Sequence, residues 1–142
     1  IITPHLKELK IIIDGLNQQQ RVAFNQNTFS SKKNLILLNK LFNNAVILLK
    51  GQTDIITHNQ ETYEIKGGNA GMTKGGTGDV LAGLVAGLYT TNQILPSAIV
   101  ASYINKIAGE TLYQSVGPFY SASDLLKTIP KLLWEELKQA NS

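Results

Sequence analysis

One acidic residue stands at the end of a glycine-rich loop, immediately before a run of apolar residues. The stretch GNAGMTKGGTGDVLAGLVAGL covers residues 68–88, and in it Asp79 follows Gly76, Thr77 and Gly78. Glycine loses more backbone freedom on folding than any other residue, so a cluster of glycines indicates a backbone that approaches something closely. Backbone amides at a helix start lack intrahelical acceptors and carry the positive end of the helix dipole. The stretch therefore predicts an anion-binding helix start.

The spacing of this loop excludes two common phosphate-binding patterns. A Walker loop would have Lys and Ser or Thr after the second glycine, where this chain has Thr77-Gly78. A Rossmann fingerprint would have its third glycine where Leu81 stands. Asp79 would repel a resting phosphate, but it could accept a proton from a hydroxyl that attacks a phosphoryl group held by the loop. The alternative is a glycine-rich turn in which Asp79 is only a partner of the helix dipole.

The composition narrows the class of protein. The chain has 142 residues, of which 43% are hydrophobic and 16% charged, so it is expected to fold as a globular domain or part of one. The net charge of +3 is scattered along the chain, which predicts no nucleic-acid partner. No cysteine is present, and two histidines without clustered carboxylates do not predict a metal site. No apolar run is long enough to span a bilayer and no signal peptide opens the chain, so we expect a cytoplasmic protein without a membrane partner.

The periodicity of apolar residues predicts the elements that position the loop. Thr3-Pro4 is expected to open a first helix that Asp14-Gly15 ends, and residues 17–28 read as a loop or short helix. Ile1 and Ile2 resemble the end of a strand. A second helix is expected to be capped by Ser30 or Ser31 and broken by Asn43-Asn44. Strands are predicted at 45–50, 54–58 and 62–66, and further helices at about 78–90, 96–114 and 123–138. Pro130 should kink or restart the last of these helices.

This order of elements favours one end of a layered α/β domain. AVILLK at 45–50 is a continuous apolar run, which is typical of a strand buried on both faces, and such a strand is expected to have parallel neighbours on both sides. Too few strands are predicted to supply them. We therefore expect the chain to be part of a larger domain, whose other half covers an exposed sheet edge and an apolar face. Tyr103 is predicted to pack in the core, and Trp134 is predicted to pack in the core or against a helix.

Several segments, in this order, resemble the ribokinase-like superfamily, and most closely its ADP/ATP-dependent NAD(P)H-hydrate dehydratases. The segments are Thr3-Pro4-His5, Lys50-Gly51, the loop from Gly68 to Asp79, and Ala122-Ser123-Asp124-Leu125. The loop is the most specific of them, and the resemblance covers essentially the whole chain. It implies that residues 1–142 are the C-terminal portion of a single ribokinase-like domain, an α/β class with a layered α/β/α fold.

The resemblance also implies a reaction, the repair of hydrated NADH or NADPH. A phosphoryl group of ADP or ATP is transferred to the hydroxyl of the hydrate, and phosphate is then eliminated. Asp79 would be the catalytic base and would bind the hydrate together with His5. The residues implied for the other roles are Gly76, Thr77 and Gly78 for the anion hole, and Lys50, Gly51, Gln52, Thr53, Asp54 and Gly78 for the nucleotide. Magnesium would come with the nucleotide phosphates, and the implied partners are the N-terminal half of the domain and further copies in a homo-oligomer.

Two other functions remain compatible with these residues. The first is a small-molecule kinase of the same superfamily, which would phosphorylate a hydroxyl of a vitamin precursor or sugar and release the phosphorylated product. The second is a non-catalytic nucleotide sensor or degenerate partner subunit. By themselves, Lys50 could be an ordinary lysine at a strand exit and His5 a surface residue in a first helical turn.

Overall fold

A computed structural model describes residues 1–19, Phe24 and residues 28–140, which form two compact units, Ile1–Ile65 and Lys66–Ser142. Most of the predicted loop or short helix at 17–28 lies outside the described residues. The first unit contains α1 (Leu6–Gln18), α2 (Lys32–Leu41), β1 (Ile47–Leu49), β2 (Asp54–His58) and β3 (Glu61–Ile65). The second contains a short 3-10 helix (Ala70–Thr73), α3 (Thr77–Tyr89), α4 (Ile94–Val116) and α5 (Ala122–Ala140).

The first unit is built around an antiparallel sheet in the order β1-β2-β3. Leu48 of β1 pairs with Ile56 of β2, which in turn pairs with Tyr63 of β3. On the other side of β1, Ile2 and His5 form parallel bridges to Ile47 and Lys50. The strand end predicted at Ile1-Ile2 is therefore confirmed, whereas parallel neighbours on both sides of β1 were a wrong prediction. The connection between β1 and β2 is short, and a short connection allows only antiparallel pairing.

The first helix begins later than Thr3-Pro4 because the preceding backbone is used by the sheet. The carbonyls of Ile2 and Pro4 accept hydrogen bonds of 2.9 Å and 2.8 Å from the amides of Leu48 and Lys50. His5 is instead the N-cap, and it forms a capping box with Glu8. The cap thus lies directly after the parallel segment, which ties the start of α1 to the end of β1.

The same helix also continues past Asp14-Gly15, where the sequence predicted its end. It runs to Gln18, and Leu16 packs against the core of the unit. A glycine in a helix interior costs only about 1 kcal/mol relative to alanine, so the burial of one further leucine is enough to offset it.

The core of the first unit lies between the two helices and one face of β1. Its buried members are Leu9 and Ile13 of α1, Leu35 and Leu38 of α2, Phe24, and Ile47 and Leu49 of β1. Val46 and Leu48 are buried as well, so β1 is enclosed on both faces, as its apolar run predicted. This enclosure fixes the path of the strand whose exit carries Lys50.

The second unit consists of α3, α4 and α5 packed around a shared core. Its buried members are Val80, Ile104, Ala108, Tyr120, Leu125 and Ile129. Pro130 lies inside α5 and does not restart the helix, because Ile129 on one side and Leu132 and Leu133 on the other all pack on this core. Tyr103 is exposed, which corrects its prediction as a core residue, and Trp134 is exposed as well, which excludes the core from the two places predicted for it. None of the helices in the described ranges combines the length and apolar character needed to cross a bilayer.

The backbone at Gly71 lies very close to an aromatic ring of the second unit. A Cβ added there would lie 2.5 Å from Cε1 of Tyr120, whose ring is buried in the core of the unit. We expect Gly71→Ala to lower the free energy of unfolding by about 1–3 kcal/mol because the loop or the ring must shift. Urea denaturation of the intact protein measures this change.

Gly75 in the same loop provides the matched control. A Cβ added at Gly75 would meet nothing within 4 Å. We expect Gly75→Ala to change the free energy of unfolding by less than about 0.5 kcal/mol, or to raise it slightly through the loss of unfolded-state entropy. Equal destabilisation by both substitutions would contradict this account of Gly71.

Candidate active site

The start of α3 differs from most helix starts because its N-cap has no side chain. Gly76 is the N-cap, with φ of 87°, and no side-chain hydrogen bond caps the helix. A Cβ at Gly76 would also lie 3.0 Å from Cβ of Ala122. Both the left-handed conformation and the close contact favour glycine at this position. Ser, Thr or Asp at an N-cap would bond the amide of the second or third helical residue, and Gly76 leaves those amides unbonded.

The second and third residues of α3 are Gly78 and Asp79. Within the described residues, neither of their amides donates a hydrogen bond, whereas the next amide, that of Val80, donates to the Gly76 carbonyl at 3.0 Å. The amide of Thr77 donates to the Lys74 carbonyl over 3.4 Å. Two adjacent donors at the positive end of α3 therefore remain for an anion. The predicted anion hole of Gly76, Thr77 and Gly78 stays a prediction, with the Asp79 amide as a further donor.

The side chain of Thr77 serves the loop itself. It is buried, and its hydroxyl lies 2.7 Å from the Met72 carbonyl and 2.8 Å from that of Lys74. The hydroxyl therefore folds the loop back onto the first residue of α3. A contribution of Thr77 to an anion hole would fall to its amide, which in this structure donates to the Lys74 carbonyl.

Asp79 is exposed at the surface of the second unit. Within the described residues its carboxylate makes neither an ion pair nor a hydrogen bond, and it does not form a capping box with Gly76. An unpaired carboxylate beside two free amides can accept a proton from a hydroxyl while the amides hold an anion. This arrangement is compatible with the role of catalytic base for Asp79, which stays a prediction.

The upstream end of the glycine loop is anchored by α4. Gly67 and Gly68 both have positive φ, of 115° and 91°. Buried Lys106 donates from Nζ to the Gly67 carbonyl at 3.0 Å, and the Gly68 amide donates to Oε1 of Glu110 at 2.9 Å. Met72 packs so closely on α4 that a Cβ at Gly109 would lie 2.5 Å from its Sδ. These contacts fix where the chain enters the loop.

The segment before α5 anchors the rest of the loop. The Tyr120 hydroxyl donates to Oδ1 of Asn69 at 2.7 Å, and the same oxygen accepts the Gly71 amide at 3.0 Å. Lys74 donates from Nζ to the carbonyls of Pro118 and Tyr120, the latter at 2.8 Å. Lys74 therefore holds the loop in place.

In the first unit, the structure brings His5 and Lys50 together, which the sequence alone did not predict. Glu8 connects them: its Oε2 lies 3.7 Å from Nζ of Lys50, and its Oε1 lies 3.6 Å from Nε2 of His5. The His5 amide donates to Glu8 Oε2 at 2.7 Å, and this bond, with the nearby charges of Lys50 and His5, lowers the pKa of Glu8. The Glu8 amide donates to Nδ1 of His5, so a neutral ring carries its proton on Nε2.

The turn after β1 carries the remaining predicted nucleotide residues. Gly51 and Gln52 are exposed, and Thr53 is half-buried. Asp54 is buried, and its Oδ1 accepts the Gly51 amide at 2.9 Å. The carboxylate of Asp54 thus shapes the turn, and a role of Asp54 toward a nucleotide remains a prediction.

The predicted site residues therefore fall into two groups, His5 with Lys50–Asp54 in the first unit and the loop with Asp79 in the second. Sequence reasoning missed Glu8, although a glutamate three residues after the N-cap is the signal of a capping box. It also missed Tyr120 and Lys106, for which no local signal exists. In the described ranges, no three His, Asp or Glu side chains are grouped so as to hold a metal ion.

Comparisons with known proteins agree with these features. A sequence profile of the NAD(P)H-hydrate dehydratase family matches residues 1–131. The ADP-dependent (S)-NAD(P)H-hydrate dehydratase of Nitrosopumilus maritimus is 38% identical over 138 residues, which are 94% of this chain and 44% of that protein. The bifunctional NAD(P)H-hydrate repair enzyme Nnr of Archaeoglobus fulgidus is 45% identical over 89 residues, which are 63% of this chain and 19% of that protein. The chain therefore covers less than half the length of these relatives.

Solved structures share the fold. A ribokinase-like superfamily protein from Enterococcus faecalis superposes with a TM-score of 0.70 at 25% identity, over 94% of this chain and 43% of that one. The ADP/ATP-dependent NAD(P)H-hydrate dehydratase of Bacillus subtilis, co-crystallised with ATP and Mg²⁺, gives a TM-score of 0.71 at 23% identity over 94% and 47%. The predicted fold class is confirmed as part of a ribokinase-like α/β domain, and the chain belongs to the NAD(P)H-hydrate dehydratase family.

Proposed function

We propose that this protein uses ADP or ATP to dehydrate NAD(P)H hydrate and so restores NAD(P)H. The observation that carries the proposal is the exposed, unpaired Asp79 beside the free amides of Gly78 and Asp79 at the start of α3. Membership of the dehydratase family and the ADP-dependent relative support the substrate class. ADP is the preferred nucleotide in this proposal because that relative is described as ADP-dependent.

The reaction follows from the two features of the α3 start. As the hydrate hydroxyl attacks the terminal phosphoryl group of the nucleotide, an O–P bond forms and the bond to the leaving nucleotide breaks. Asp79 takes the proton of that hydroxyl, a role that contributes roughly 10²–10⁴ in rate. The amides of Gly78 and its neighbours bear the charge that develops on the phosphoryl oxygens. The C–O bond to the new phosphate then breaks and releases inorganic phosphate, and loss of a proton from the adjacent ring carbon restores the ring double bond.

Residues of the first unit are proposed to bind the nucleotide and the hydrate. Lys50 Nζ is positioned by Glu8 and would bind nucleotide phosphates, while the exposed backbone of Gly51 and Gln52 would line the nucleotide. The His5 ring, whose Nδ1 accepts the Glu8 amide, would donate from Nε2 to the hydrate. Because Glu8 holds both residues, nucleotide and hydrate binding in this unit would share one anchor.

Magnesium fits the proposal as a companion of the nucleotide. The described residues group no three carboxylates or histidines that could hold a metal, so the ion would be bound mainly by nucleotide phosphates and water. Its chemical contribution would be to neutralise phosphate charge. The N-terminal half of the domain, further copies in a homo-oligomer and a cytoplasmic location complete the proposal. The kinase alternative is not favoured, because the matching profile is that of the dehydratases.

The first test removes the proposed base. Asp79→Asn keeps the size of the side chain but cannot accept the proton, so we expect kcat to fall roughly 10²- to 10⁴-fold while nucleotide affinity is largely retained. The measurement follows NADH absorbance restored from NADH hydrate with ADP and Mg²⁺, with titration calorimetry for ADP binding.

Asp124 offers a matched control for this substitution. It is another carboxylate in the first turn of a helix, and it bonds the backbone amide and hydroxyl of Ser121, which lowers its pKa. Asp124→Asn is expected to leave kcat within about twofold, since Asn also serves at helix starts. An Asp79→Asn enzyme with wild-type kcat would refute the catalytic role and favour the sensor interpretation. A stable phosphorylated product would favour the kinase.

The second test removes the proposed nucleotide contact. Lys50→Ala is expected to raise KM for ADP by about 10- to 100-fold, because a charge-assisted hydrogen bond contributes about 1.5–3 kcal/mol. Lys33→Ala, at an exposed lysine in the first turn of α2, is the control and should leave KM unchanged. Equal KM values for the two variants would remove Lys50 from the nucleotide site.

A further inference from the structure

Tyr120 makes an unusual set of contacts for a residue that no motif marks. Its side chain is buried, with 2% of the residue exposed, and lies in the core of the second unit. Three atoms of its ring and hydroxyl would lie within 2.8 Å of a Cβ at Gly71, so the ring is in direct contact with the loop backbone. The loop backbone therefore packs directly against this ring.

The hydroxyl of Tyr120 extends the contact to Asn69. It donates to Oδ1 of Asn69 at 2.7 Å, and the Gly71 amide donates to the same oxygen at 3.0 Å. An amide can only donate, so the atom facing Gly71 must be the oxygen of Asn69. Burial raises the pKa of Tyr120, so the hydroxyl remains a donor throughout the neutral range. The bond therefore fixes the turn that begins the 3-10 helix.

Two hydrogen bonds connect this turn and Tyr120 to the residues at the start of α3. The Met72 carbonyl, one residue after Gly71, accepts the hydroxyl of Thr77 at 2.7 Å. Lys74 returns to the carbonyl of Tyr120 at 2.8 Å, with Nζ 5.5 Å from the centre of its ring. Tyr120 thus holds the loop at its start and again two residues before Gly76. The amides of Gly78 and Asp79 follow directly.

We propose that Tyr120 is a positioning residue, which acts through Asn69 to set the anion-binding amides of Gly78 and Asp79. The expected loss of kcat rests on the proposed function, whereas the ordering of the loop by Tyr120 does not. The amides act on charge that develops in the transition state, so a small displacement lowers kcat more than it weakens ground-state binding. Lys50, which we propose binds the nucleotide, belongs to the first unit and is not part of this series of hydrogen bonds.

Kinetics in the intact protein test the inference by a double-mutant cycle. Tyr120→Phe removes only the hydroxyl, and we expect kcat for NADH hydrate with ADP to fall about 10- to 100-fold, with KM for ADP within about twofold. In an Asn69→Ala background, Tyr120→Phe should have no further effect, because the partner through which it acts is gone. Tyr89→Phe, at the exposed far end of α3, is the control and should match wild type.

Hydrogen exchange provides a readout that needs no activity. In the absence of ligands, the peptide containing residues 71–80 should exchange about tenfold faster in Tyr120→Phe than in wild type, while peptides of α4 remain unchanged. Uniformly faster exchange would indicate general destabilisation and overturn the inference. If Tyr120→Phe does not fold, Asn69→Ala alone carries the test, and an unchanged kcat for Asn69→Ala overturns the inference.

The outcomes separate the two proposals. Wild-type kcat in Tyr120→Phe, or the same loss with and without Asn69, overturns the positioning role and leaves the proposed function standing. A wild-type protein that restores no NADH with either ADP or ATP overturns the proposed function. The exchange measurement then still decides whether Tyr120 orders the start of α3.

Discussion

The candidate site of the second unit depends on one feature, that two amides in the first turn of α3 have no hydrogen-bond acceptor among the described residues. A helix start normally uses a Ser, Thr, Asp or Asn side chain to satisfy one of these donors. Here the N-cap is Gly76, whose left-handed backbone turns the chain into the helix without occupying either amide. The positive end of the helix dipole is thereby left open for an anion, and Asp79 is left free of the capping interaction it could otherwise make.

Because no side chain caps the start of α3, other contacts must fix the backbone that leads into it. Glycines are costly to order, and the loop before Gly76 contains several of them. The loop is therefore fixed by side chains that come from outside it, Lys106 and Glu110 of α4 at its entry and Tyr120 at its centre. Contacts with packed helices thus fix the backbone of a loop whose glycines would otherwise allow many conformations.

In the first unit, order around the candidate residues comes from one carboxylate. Glu8 caps α1 through the His5 amide and at the same time lies within ion-pair distance of Lys50. This is possible because residues 2–5 run parallel to β1 and bring the start of the helix beside the end of the strand. A helix cap and the placement of two candidate binding residues are therefore the same interaction.

The sequence by itself determined the parts of this protein that are encoded locally. The period of apolar residues located the strands and α3, and the glycine loop with Asp79 predicted an anion-binding helix start, because turns, caps and periodicity involve residues close in the chain. The identity of the family could also be recognised from these segments, as the matching profile confirms. The tertiary structure alone decided the antiparallel partner of β1, the continuation of α1 past Gly15 and the exposure of Trp134. It also decided that Tyr120 and Glu110, 51 and 42 residues away from their loop partners, hold the candidate site. Such contacts depend on how helices pack, and side-chain packing between distant segments leaves no periodic or local signal in the sequence.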